Sequence, residues 1–268
     1  KSIHAGAADA AKEAGVEIIW KGPLKEDDRE SQIKVVEDFI TNKVSGIVLA
    51  PLDDTALRTP VSEAVKQGIP VVIIDSGLKS EDYVSFVATD NYRGGQLAGQ
   101  HLISLLDSTG TVAMRRYQEG SASTANREQG FLDAAGACPT IRVVSANQYG
   151  GATTESAYRA SENLLATLRQ EGGGLKIDGL FCPNASTTFG MLRALQARWM
   201  ALRRGIWGLA LAFGTLGLAG TIGAAGLRGQ NFPELWWLPE QPVQAHLLAS
   251  TVSDVSEWGL GHDHAAAV

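Results

Sequence analysis

Asp75, Asn91, Arg127 and Asn184 each stand where an apolar run ends in a chain that alternates strand-like and helix-like segments. A carboxylate accepts hydrogen bonds, a guanidinium donates them as a fixed fork, and a carboxamide does both. Together these groups suit a small molecule rich in hydroxyls. In open α/β sheets such ligands lie beyond the carboxyl ends of the strands, where loops and helix N-termini present side chains and free N–H groups. Each residue also has a plainer reading. Asp75 can cap the turn that follows it, Arg127 can be a solvated helix residue, and Asn184 can be an N-cap for the helix from Ser186.

Short, β-branched apolar runs predict strands at Val16 to Trp20, Gly46 to Ala50, Pro70 to Asp75, Val84 to Thr89, Thr111 to Arg115, Ile141 to Ala146 and Ile177 to Cys182. Helical stretches fall between them: Lys1 to Ala14, Arg29 to Thr41, Thr55 to Gln67, Asn91 to Leu106, Ser123 to Ala135, Thr153 to Leu168 and Ser186 to Gln196. In the second of these, Ile33, Val36, Phe39 and Ile40 share one face of a 3.6-residue period, as in a helix that covers a sheet. Gly15 and Gly68 follow helical runs at the position that favours left-handed backbone. This alternation predicts an α/β fold of two doubly wound, parallel-sheet lobes. The boundaries read as 1–90 for the first lobe, 91–195 for the second and 196–268 for a tail of different character.

At 268 residues the chain is long enough for two such lobes, and a net charge of −6 with scattered Lys and Arg argues against a nucleic-acid partner. The two cysteines, Cys138 and Cys182, lack the spacing of a zinc or redox motif and read as structural thiols. His262 and His264 form a pair without a third ligand, so no metal site is expected. Gly94-Gly95 lacks the context of a dinucleotide-binding loop. With no nucleophile and base ordering in view, catalytic residues and cofactors are both expected to be none.

Several segments resemble the type I periplasmic sugar-binding proteins, the ribose-binding-like group that shares its fold with lactose-repressor effector domains. They are Gly46 to Pro51, Gly68 to Ser76, Thr89-Asp90-Asn91 with Gly94-Gly95, Arg127 to Phe131, and Asn184 to Leu195. The resemblance covers about residues 1 to 195. It implies two lobes that close by hinge motion on a small sugar and deliver it to the membrane permease of an ABC transporter, in the periplasm. It further implies that Asp75, Asn91, Arg127 and Asn184 bond ligand hydroxyls, that Tyr149 offers an aromatic face to the sugar ring, and that Asn91 lies near the first crossing between lobes. Ser76 stands where the family often has Arg, so the ligand is expected to differ from ribose. Relative to the family, the chain begins after the first strand, which is central in the order 2-1-3-4-5, and that absence is expected to leave edges exposed. Lys1 opens inside a helical run without an initiating Met, so a segment upstream is expected to have been removed.

After Leu195 the pattern stops. The tail has no lysine, is rich in Gly and Trp, and is expected to be irregular or helical. Three readings stand. Ile206 to Leu227 runs 22 residues without a formal charge, long enough for a membrane span. Alternatively, Gln241 to Leu248 can be encoded so that the next frame reads a family-like segment, which points to a shifted frame. The third is a divergent domain ending. With both ends of the site altered, impaired sugar binding is expected. The alternatives are an effector-binding domain of a lactose-repressor-type regulator, and a sugar-processing enzyme.

Overall fold

The computed structural model describes residues 2–171, 174–198 and 246–249. Its elements are α1 (Ser2–Ala14), α2 (Arg29–Thr41), β1 (Ile47–Leu49), α3 (Arg58–Lys66), β2 (Val71–Ile74), β3 (Ser85–Val87), α4 (Asn91–Leu105), β4 (Gly110–Arg116), α5 (Ala122–Gly136), β5 (Ile141–Tyr149), α6 (Thr154–Thr167) and β6 (Gly179–Cys182). A seventh helix, α7, covers 185–198, and β7 (His246–Ala249) is the last strand. The chain divides into two compact units. One holds the residues up to Ala88 with Gly120–Ala122, and the other holds the remaining described residues.

The first unit carries a three-stranded parallel sheet in the order β1-β2-β3. Alternate side chains along β1 and β2 enter one core: Ile47, Leu49, Val71 and Ile73 pack with Val36 and Ile40 of α2 and Leu57, Val61 and Ala64 beside or on α3. The opposite face stays open, with Val48 67% exposed between its two buried neighbours. Gly15 and Gly68 adopt left-handed backbone at φ of +65° and +82°, ending α1 and α3 as the helix-stop pattern predicts.

Val16 to Trp20, predicted as a strand, joins no ladder, and Val16, Ile18, Ile19 and Trp20 are exposed. The physical reason lies in the neighbours. A strand exists only where another strand's N–H and C=O groups face it, and in the order 2-1-3-4-5 the second strand pairs with the first alone. No such first strand is among the described residues.

The second unit has four parallel strands in the order β5-β4-β6-β7, the first four places of 2-1-3-4-5. Its faces separate by the two-residue period. Ala113, Leu180 and Cys182 face α6 and α7 through Leu164, Leu165 and Met191, while Val112, Met114 and Phe181 face α4 and α5 through Leu102 and Phe131. Phe131 and Phe181 stack with ring centroids 4.2 Å apart. β7 corrects the reading of the tail as irregular or helical, since His246–Ala249 adds one parallel strand to β6. Three apolar residues after a histidine, without flanking periodicity, give a sequence reading too little to detect. Among the described residues no helix is long and apolar enough to cross a membrane. The stretch 206–227 lies outside them, as do His262 and His264.

Candidate ligand-binding site

In the first unit Asp75 ends β2 in left-handed backbone, with φ at +64°, a conformation Asp tolerates better than most residues with a side chain. Its N–H donates to the Val87 carbonyl at 3.0 Å, which ties the ends of β2 and β3 together. The carboxylate is exposed and takes no hydrogen bond from another described residue, so it does not cap the following turn. Strained backbone of this kind persists where the surroundings hold it, and it concentrates at ligand sites.

The same unit contains a second polar cluster that the sequence reading missed. Asp53 is buried, accepts the N–H groups of Thr55 and Ala56, and pairs with Arg29 at 3.1 Å. Burial opposes its ionisation, yet the two N–H groups, Arg29 and Lys79 together hold the carboxyl below its ordinary range. Gly120 lies against it so closely that a Cβ there would sit 2.1 Å from Asp53 Oδ2, and its carbonyl accepts the Asp54 N–H at 2.9 Å. No sequence spacing signals that contact.

In the second unit Asn91, Arg127 and Asn184 come together. Asn91 opens α4, behind Asp90, whose side chain caps the helix by accepting the Arg93 N–H at 2.9 Å. Asn91 is buried, donates to the Thr89 carbonyl at 3.0 Å, and accepts from Arg127 Nε at 2.8 Å. Arg127 Nη1 donates to the Pro183 carbonyl at 3.0 Å, next to Asn184. The guanidinium is thus oriented from two sides, at the carboxyl end of β6.

Glycine makes the approach of α4 and α5 close enough for that bond. A Cβ on Gly95 would lie 2.0 Å from the Arg127 carbonyl oxygen, and one on Gly130 would lie 2.1 Å from that of Tyr92. Only hydrogen fits at either crossing.

Asn184 caps α7, as its plainer reading has it. Its Oδ1 accepts the Thr187 N–H at 3.2 Å and the Thr187 hydroxyl at 2.7 Å. The amide Nδ2 has no acceptor among the described residues. The cap therefore leaves an amide donor on the residue that follows Pro183, the carbonyl partner of Arg127.

Tyr149 ends β5, paired in register with Arg116 at the end of β4. Its hydroxyl accepts from Arg116 Nη1 at 3.2 Å. Arg116 also pairs with the buried Glu128 at 3.1 Å, and Glu128 accepts the Tyr117 N–H at 3.0 Å. Burial pushes the Glu128 carboxyl up to about 7, against the pull of that N–H and of Arg116. Sequence alone gives neither Arg116 nor Glu128 a role, although Glu128 lies inside the family-like segment Arg127 to Phe131. Cys182 is fully buried beneath this rim, and burial pushes its thiol up to about 12, as befits a structural thiol.

Residues 1–212 match the model of the periplasmic binding protein domain, which extends past Leu195. The chain belongs to this family. It is 28% identical to the ribose import binding protein of Bacillus subtilis over 73% of its own length and 61% of that protein's. It is 32% identical to the D-ribose/D-allose-binding protein of Pseudomonas aeruginosa over 68% of its length and 56% of that relative's. It thus spans about three fifths of the length of these curated relatives. Among solved structures, the periplasmic component of an ABC-type sugar transport system from Hahella chejuensis superposes with a TM-score of 0.68 at 34% identity, covering 74% of this chain and 70% of that one. By name the first is a binding protein for ribose import, the second a binding protein for ribose and allose, and the third a component of a sugar transport system; the parallel sheets described above are those of the family's type I fold.

Proposed function

We propose that this chain captures a small sugar in the periplasm for the permease of an ABC transporter, without covalent chemistry. One observation carries the reading. Arg127 is held by Asn91 and by the carbonyl of Pro183, whose chain neighbour Asn184 keeps an amide donor, at the carboxyl ends of parallel strands where α/β sheets receive ligands. The names of the relatives, which bind ribose or ribose and allose, supply the ligand class. In this reading Arg127 and Asn184 donate to sugar hydroxyls and Asp75 accepts from them. Asn91 serves chiefly by orienting Arg127, with one lone pair and one N–H to spare, and Tyr149 faces the ring. None of the three relatives described is a regulator or an enzyme, and no feature of the rim favours those readings.

Saturation-transfer NMR and calorimetry with D-ribose and D-allose test the proposal. Saturable binding is expected, with weak affinity where the expectation of impaired binding holds. Arg127→Ala should weaken it by about 10- to 100-fold, the usual cost of a lost charged hydrogen bond. A panel of pentoses and hexoses that shows no saturable binding would overturn the reading.

A further inference from the structure

Arg116 joins a buried anchor to the aromatic ring at the rim of the second unit. On one side its Nε lies 3.1 Å from Glu128 Oε2, and Glu128, 3% exposed on α5, is itself fixed by the Tyr117 N–H. On the other side its Nη1 donates to the Tyr149 hydroxyl, and its Cζ lies 5.5 Å from the Tyr149 ring centroid. A tyrosine at a strand end has two free torsions, and one that is 43% exposed has few packing contacts to restrict them. Here the guanidinium sits at the hydroxyl end of the ring, and its hydrogen bond to the hydroxyl holds the tip, which restricts the swing of the ring and leaves its faces uncovered by the cation.

We infer that Arg116, braced by Glu128, is the positioning residue that holds Tyr149 by its hydroxyl and so presents a face of its ring to the C–H face of the bound sugar. The inference rests on the proposed sugar-binding function and adds to it how that wall of the site is held. Arg116 acts through Tyr149 and through the lost freedom of its ring, so binding costs less entropy than it would with a mobile tyrosine.

A double-mutant cycle reads this directly, using the whole chain titrated with D-ribose and D-allose above the pH at which Glu128 ionises. Arg116→Ala and Tyr149→Ala should each weaken binding about tenfold. The double variant should bind no more weakly than Tyr149→Ala alone. Arg116→Lys, which keeps a cationic donor for the Tyr149 hydroxyl, should restore part of the loss, while Glu128→Gln should resemble Arg116→Ala. Should Arg116→Ala fail to fold, Tyr149→Phe, which deletes only the hydroxyl, should still cost about threefold. Losses that add in the double variant, or an unchanged affinity in Arg116→Ala or Tyr149→Phe, overturn the inference and leave the sugar-binding function standing. Absence of saturable binding by the parent chain across the panel of pentoses and hexoses overturns both.

Discussion

In β1 of the first unit Ile47 and Leu49 are buried while Val48 between them is 67% exposed, whereas all four residues of β6 in the second unit are buried. Neither strand carries a polar or charged side chain. What differs is the number of covered faces. α2 and α3 cover one side of the first sheet, and α1 covers no other, with Ala11 its only buried residue among those described. In the second unit α4 and α5 cover one side and α6 and α7 the other. A parallel sheet covered on one face leaves a row of apolar side chains in water, and its stabilisation by burial shrinks in proportion. The candidate donors gather where both faces are covered, which fits the need for a rigid support under side chains held within a few tenths of an ångström.

The contrast can be broken first at its largest effect. Phe131→Ala, which removes one ring of the stacked pair with Phe181, should cost the second unit about 3–5 kcal/mol, while Val48→Thr on the open face of the first should stay within about 0.5 kcal/mol. Hydrogen exchange followed separately over β1–β3 and β4–β6 reads each unit alone. Comparable losses from the two substitutions would erase the distinction.

A smaller effect of opposite character comes from Glu128. Its carboxyl holds a proton up to about 7 when folded and only to about 4.5 when unfolded, so the native state binds more protons between those values. Stability therefore falls as pH rises through that window, by roughly 3 kcal/mol in all. Asp53 in the first unit is shifted the other way, and its contribution is lost only in acid below that window. Urea midpoints of the second unit should drop between about pH 5 and pH 8 and should do so much less in Glu128→Gln. Parent and variant curves that run parallel would show that Glu128 does not titrate in this range.

The smallest stability effect, with the sharpest functional one, is expected at the helix crossing. Gly95→Ala must separate α4 from α5, costing about 1–3 kcal/mol. The same displacement parts Asn91 from Arg127, so sugar affinity should fall by more than tenfold. A crystal structure of the variant with the 2.8 Å bond intact would contradict this account of the glycine.

Much of this was legible in the residues themselves. Each of the seven predicted helices and six of the seven predicted strands form, because apolar period and turn residues act over short stretches of chain. Arg127 could be marked by its place after Gly120 to Asn126, a run of small and polar residues, and the N-cap role of Asn184 by its place before α7. Val16 to Trp20 failed for a non-local reason, since nothing inside that segment says whether a neighbour will face it. Asp53 with Gly120, and Arg116 with Tyr149 and Glu128, were invisible because their separations along the chain follow no period.

Sequence by itself determined where helices and strands alternate, which polar residues follow strand ends, and the family to which the chain belongs, since these depend on neighbours a few residues away and on their order. Tertiary structure alone decided which face of each sheet is covered, that Asn91 orients Arg127, and that Arg116 braces Tyr149. Those outcomes follow from distances between residues far apart in the chain, which exist only once the helices have packed on the strands.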